Sequence, residues 1–279
     1  MKHLFMKLAS TNAEFGPLGL LARIVNWFLI RLFGLKVIKF QDIRSNRVAK
    51  QIFAKCELVK SENGYWHLSP MPTEEKLAEY YRSLYWVSRD GKNYGTNTRD
   101  LVHYQILKSY VPTFVKGKCF LNFGAGHGGV SHLAWLSQMN VVNVEPSTIP
   151  NYYDERWRMF QSIDDVPSNC ADVVYGSHSL EHVQNIEKFM EEIRRILAPN
   201  GVMFWEVPNA DCESNGVVRG KIDIPHTYYF TTHFFDNWFD EVILNKGYEQ
   251  SQRFNTIEKW ADFENKQGSV IRAIGRLGN

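Results

Sequence analysis

Four glycines and one carboxylate, in the order and spacing that a nucleoside ligand needs, are the residues of this chain best suited to chemistry. Cys119-Phe120-Leu121-Asn122-Phe123 is a short apolar run ending in Gly124-Ala125-Gly126-His127-Gly128-Gly129, and Val141-Val142-Asn143-Val144 ends in Glu145. Glycine has no Cβ, so the backbone can turn sharply there and approach a ligand closely. The segment from Val130 to Gln138 is predicted to open a helix whose free N–H groups face that ligand. Glu145, 21 positions after Gly124, then stands at the tip of the neighbouring strand, where a carboxylate accepts both ribose hydroxyls. The glycines allow two readings. Gly124-x-Gly126-x-x-Gly129 is a dinucleotide fingerprint, pointing to an NAD-dependent oxidoreductase, and Gly124-x-Gly126-x-Gly128 is a shorter nucleoside loop.

Segments further along the chain decide between them. Asp172-Val173-Val174-Tyr175-Gly176-Ser177 is followed by His178-Ser179-Leu180-Glu181-His182-Val183. Phe189 to Gly201 reads as a helix and turn, Val202-Met203-Phe204-Trp205-Glu206-Val207-Pro208-Asn209 as a strand with a polar tip, and His226-Thr227-Tyr228-Tyr229-Phe230-Thr231 follows. In this order the motifs resemble the class I S-adenosylmethionine-dependent methyltransferases, in the Leu-Glu-His group that acts on small molecules or glycans, over roughly residues 98–275.

The resemblance implies an α/β fold: a doubly wound, mostly parallel seven-stranded Rossmann-like sheet whose last strand is antiparallel. It implies S-adenosylmethionine as cofactor, held by Asn122, Gly124, Ala125, Gly126, Gly128, Glu145, Ser177 and, at the adenine edge, Asp164 or its neighbour Asp165. Asn122 departs from the pattern, because the family usually has Asp there; an amide hydrogen-bonds but carries no charge, which bears on cofactor affinity. A non-catalytic scaffold of the same fold stays open beside the enzyme reading.

Methyl transfer by direct displacement is the implied reaction, and a hydroxyl acceptor needs a base. His178, His182 and His226 fall in the motifs nearest the implied site, and a neutral imidazole suits that task near pH 7. Each has a plainer use in packing or hydrogen-bonding a loop. Asn209 is a candidate to orient the acceptor, and Glu206 reads either as a site residue or as a satisfied buried carboxylate. The sequence offers no Asp/His cluster that suggests a metal, and none is expected. Cysteines 56, 119, 170 and 212 lack metal-like spacing and read as reduced thiols, so the expected location is cytoplasmic.

The elements that must position these residues alternate. Strands are predicted near 118–123, 140–145, 157–160, 171–176 and 201–207, with helices near 128–138 and 184–197. Leu101, Tyr104, Leu107 and Val111 recur at helical spacing ahead of the first strand, and Thr73 is predicted to cap a helix through Tyr85. A helix at 232–245 and closing strands at 248–255 and 269–274 are expected after them, with a loop at 89–97 over the site. The division expected is an N-terminal extension over 1–97 and a cofactor-binding domain over 98–279.

Charge is unevenly spread. Residues 1–60 carry +8 and residues 61–279 carry −6, which together give the net +2. The basic part contains the amphipathic stretch 16–34, with Arg23, Asn26 and Arg31 on one side and Leu21, Ile24, Val25, Phe28, Leu29 and Leu32 on the other. Two arginines argue against a bilayer span. Two readings stay open: an interfacial helix at the inner face of an anionic membrane, or a helix buried against the catalytic domain or the second copy of a homodimer. The acidic remainder disfavours nucleic acid as a partner and favours a small-molecule or glycan acceptor.

Overall fold

Apolar residues come in adjacent pairs along the predicted strands, and the sheet they build uses both members. The computed structural model describes residues 40–81, 98–147, 157–248 and 268–278, with the isolated positions 17, 21, 24 and 25. Seven strands form one sheet: β3 (Cys119–Phe123), β4 (Asn140–Val144), β5 (Arg158–Phe160), β6 (Ala171–Ser177), β7 (Leu197–Pro208), β9 (Glu241–Tyr248) and β10 (Val270–Arg276). Their order is β5-β4-β3-β6-β7-β10-β9. The first five are parallel, and β10 runs antiparallel to both β7 and β9. This is the doubly wound, mostly parallel sheet that the sequence implies.

Strand alternation sends Phe120, Val141, Val173, Val202 and Phe204 to one face, and Leu121, Val142, Val174, Met203 and Trp205 to the other. A parallel sheet buried on both sides needs such near-continuous apolar strands. Helices α3 (Thr98–Tyr110) and α4 (Gly129–Leu136) cover the first face with Val102, Ile106, Leu107, Val130 and Ala134. Helix α5 (Ile186–Ile196) covers the second with Ile186, Phe189, Ile193 and Ile196, one stripe at helical spacing. Its start is fixed by Asn185, whose Oδ1 accepts from Lys188 N at 2.8 Å.

Two expectations change. Helix α6 (Thr232–Trp238) ends seven residues before the predicted Asn245, and β9 (Glu241–Tyr248) takes up residues 241–247 that were assigned to helix and turn. Phe239 is extended and lies over Gly275, while β9 gains a full ladder with β10; tertiary pairing overrides local propensity here. A second sheet was also not foreseen: β1 (Glu57–Lys60), β2 (Tyr65–Ser69) and β8 (Tyr228–Phe230), in that order.

The chain divides into two units, Met1–Ala54 with Thr73–Asn93, and Lys55–Pro72 with Tyr94–Asn279. The β1–β2 hairpin lies in the second of these units. The reason is its pairing, with Tyr65 opposite Phe230 and His67 opposite Tyr228. In the smaller unit α1 (Phe40–Phe53) and α2 (Glu74–Tyr80) bury Ala49 and Tyr80 together, a packing role for that tyrosine. Thr73 occupies the N-cap position of α2 without a side-chain hydrogen bond. The predicted loop at 89–97, the end of the predicted helix at Tyr85 and most of the stretch 16–34 lie outside the described residues. No helix among the described residues is long and apolar enough to cross a membrane.

Candidate active site

Register places the first site residues side by side. Phe123 pairs with Val144 on one flank and with Gly176 on the other, so Gly124, Glu145 and Ser177 stand level at the carboxyl edge of the sheet. In such sheets ligands bind there. Gly124 N and Ala125 N donate to Val144 O at 2.9 and 3.2 Å. Glu145 holds the loop from the other side: Oε2 accepts from Gly126 N at 2.8 Å and Oε1 from Ser147 N at 3.0 Å. Each oxygen keeps a further lone pair. A half-exposed glycine loop with an acceptor at its lip fits the ribose hydroxyls of S-adenosylmethionine.

Gly124 has φ 68°, and a Cβ there would overlap Ser179 Cβ. The segment after β6 is thus packed directly on the loop. Gly129 is small for another reason. It is the first residue of α4, and a Cβ on it would run into the Asp100 carboxylate of α3. That contact is close packing of α3 against the start of α4.

The remaining cofactor candidates have different surroundings. Asn122 is buried, and its Nδ2 donates to Ser131 Oγ at 2.8 Å, which donates to Asn143 Oδ1 at 2.7 Å. This neutral relay ties β3, α4 and β4 together and accounts for an amide where the family usually has an acid. Ser177 Oγ donates to Glu206 Oε1 at 3.4 Å. Asp164, on the exposed turn Ile163–Asp165, accepts from Lys188 Nζ at 3.0 Å.

The three candidate histidines converge on two buried carboxylates. Glu206, in the middle of apolar β7, takes His103 Nε2 at 2.7 Å and Arg272 Nε at 2.9 Å on Oε2. On Oε1 it faces His178 Nε2 at 3.5 Å. His178 reaches Glu181 Oε1 through Nδ1 at 3.2 Å and has φ 51°. Burial alone would lower the His178 pKa, but its hydrogen bonds to Glu181 and Glu206 raise it to about 9. Burial would raise the Glu181 carboxyl, yet the hydrogen bond from His178 and the electrostatic effect of the neighbouring His182, His178 and His226 rings hold it at about 2. Glu206 is held well below the usual range: burial opposes this, and His103, His178 and Arg272 outweigh it. Burial lowers His103, so its neutral form donates from Nε2 and accepts the Tyr175 hydroxyl on Nδ1 at 2.7 Å.

A latch sets the last histidine. Thr227, fully buried, donates from N to Glu181 O at 2.8 Å, and its Oγ1 meets Glu181 O at 3.0 Å and Val183 O at 2.6 Å. The chain is thereby tied so that His226 lies beside His182, ring centroids 4.9 Å apart. His226 Nδ1 is 3.4 Å from Asp223 Oδ2, and Nε2 is 4.0 Å from Glu181 Oε1. Asn209 is engaged elsewhere: its Nδ2 donates to Gly268 O at 2.9 Å and its Oδ1 accepts from Asp211 N at 3.1 Å. His103, Thr227 and Arg272 were not singled out in the sequence. An arginine and a glutamate inside two apolar runs were the available signal, since buried charges must pair.

Residues 97–261 match the methyltransferase domain family. The chain belongs to that family. It is a methyltransferase, and its cofactor is S-adenosylmethionine. No curated protein matches the methyltransferase. Among solved structures it is similar to a SAM-dependent methyltransferase from Archaeoglobus fulgidus (16% identity, 63% of this chain and 93% of that one, TM-score 0.46). Two others are a methyltransferase from Mesorhizobium loti (11%, 64% and 99%, TM-score 0.47) and one from Aquifex aeolicus (13%, 61% and 87%, TM-score 0.43).

Proposed function

We propose that the methyltransferase methylates a hydroxyl of a sugar, glycan or other small acceptor at the rim where His178, His182 and His226 meet. The observation that carries this reading is the His182–His226 pair, ring centroids 4.9 Å apart, on a segment packed against the first loop glycine. S-adenosylmethionine supplies a methyl group already activated on a sulfonium. The chain's task is then to hold cofactor and acceptor in line and to exclude water. Gly124, Ala125, Gly126, Gly128 and Glu145 hold the cofactor in this reading.

A hydroxyl keeps its proton at neutral pH, and general-base help in removing it is worth about 10²–10⁴-fold. His178, flanked by two carboxylates, is suited to donate a hydrogen bond; His182 and His226 are the proton acceptors. The acidic charge of residues 61–279 supports a small acceptor over nucleic acid. The test is transfer of labelled methyl from S-adenosylmethionine to cell-extract fractions. Label in glycan or small-molecule fractions is the expected outcome; label in RNA or protein alone refutes the acceptor class.

A further inference from the structure

We propose that Glu181, His182 and His226 form a binding site for one divalent ion of the zinc and first-row transition class. One ligand atom from each residue lies within 4.8 Å of the other two. Glu181 is 1% exposed, and its Oε1 lies 3.2 Å from His178 Nδ1 and 4.0 Å from His226 Nε2. A buried carboxylate in that condition is costly unless a cation faces it. His178 Nδ1 and His226 Nε2 both approach the same oxygen, Oε1, at 3.2 and 4.0 Å, and the ion would share that oxygen with the two ligating imidazoles.

The surrounding bonds set the ligands in place. Glu181 and His182 stand on one tight turn, Leu180–His182, and the Thr227 latch ties His226 to the carbonyl of Glu181. Asp223 Oδ2 lies 3.4 Å from His226 Nδ1, and the other ring nitrogen, Nε2, is 4.0 Å from Glu181 Oε1. A ligating histidine is oriented by a carboxylate in this same way. Two imidazoles and one carboxylate suit zinc, manganese, iron or cobalt and not calcium, which takes six to eight oxygens. Ligands at about 2.0–2.2 Å from a tetrahedral ion lie about 3.4 Å apart, so rotation of the two partly exposed imidazoles closes the site.

Three protein ligands leave coordination positions open. An acceptor hydroxyl bound there would be made more acidic by the ion and would lose its proton to solvent, a role that rests on the function proposed above; binding of the ion itself does not. The experiment uses the full chain without a histidine tag, stripped with a chelator and titrated with Co²⁺, read by its visible absorption, with Zn²⁺ as competitor. One equivalent of Co²⁺ displaced by Zn²⁺ is expected. H226N should abolish stoichiometric binding, and D223N should weaken it about 10–100-fold. E181Q is the stricter variant, and H226N, on a partly exposed side chain, keeps the test sound if E181Q fails to fold. Absence of stoichiometric binding, or equal binding in wild type and H226N, overturns the proposal. Ion binding without labelling of glycan or small molecules overturns only the acceptor assignment.

Discussion

Ser179 stands where any side chain at position 124 would have to go: a Cβ built on Gly124 overlaps Ser179 Cβ. The glycine loop and the Leu-Glu-His segment are therefore packed together where Gly124 lacks a Cβ. The first prediction comes from this contact. Gly124→Ala places an L-residue at φ 68°, costing about 1–2 kcal/mol, and forces an overlap worth about 1–3 kcal/mol. Chemical denaturation should show both losses in the single variant, and Gly124→Ala with Ser179→Gly should recover the second. No recovery would mean that Ser179 is not what excludes the side chain.

Glu145 clamps the loop through Gly126 and Ser147 and has lone pairs to spare for the cofactor. Glu145→Ala is expected to weaken S-adenosylmethionine binding by about 1–3 kcal/mol in calorimetry, the usual cost of leaving buried polar groups unpaired. Wild-type affinity in that variant would place the ribose elsewhere.

Asn122→Asp, although it restores the family's usual residue, is expected to destabilise the fold. Ser131 would have to donate to the new carboxylate and abandon Asn143, and the charge would be buried with only a neutral hydroxyl facing it. A loss of about 1–3 kcal/mol is anticipated. Unchanged stability together with tighter cofactor binding would refute the relay.

Glu206 is the counter-charge for Arg272 and His178 in the middle of the sheet. Breaking such a buried pair costs about 3–5 kcal/mol, so Glu206→Gln should unfold at markedly lower denaturant concentration. A shift no larger than that of a surface substitution would show that water already reaches Arg272.

The N-terminal stretch gives the last prediction. Leu21, Ile24 and Val25 are exposed in a region of strongly positive charge. The full chain is expected to float with anionic vesicles at low salt, and removal of residues 1–40 should abolish flotation while cofactor binding persists. Failure to float would leave packing or dimerisation as the role of that stretch.

The sheet and the glycine loop were legible in the sequence alone. Strand alternation and the glycine spacing are local properties, and a parallel sheet has few ways to bury two apolar faces. The sequence could not show that Glu206 and Arg272, 66 positions apart, stand opposite each other on neighbouring antiparallel strands. Nor could it show that Thr227 bonds the carbonyls of Glu181 and Val183, which is what brings His226 to His182. The end of α6 was misjudged for the same reason: the partner strand, not the residues of 239–248, decides that they are extended. Local preference amounts to less than about 1 kcal/mol per residue, whereas pairing and burial are won from neighbours that the chain meets only after folding.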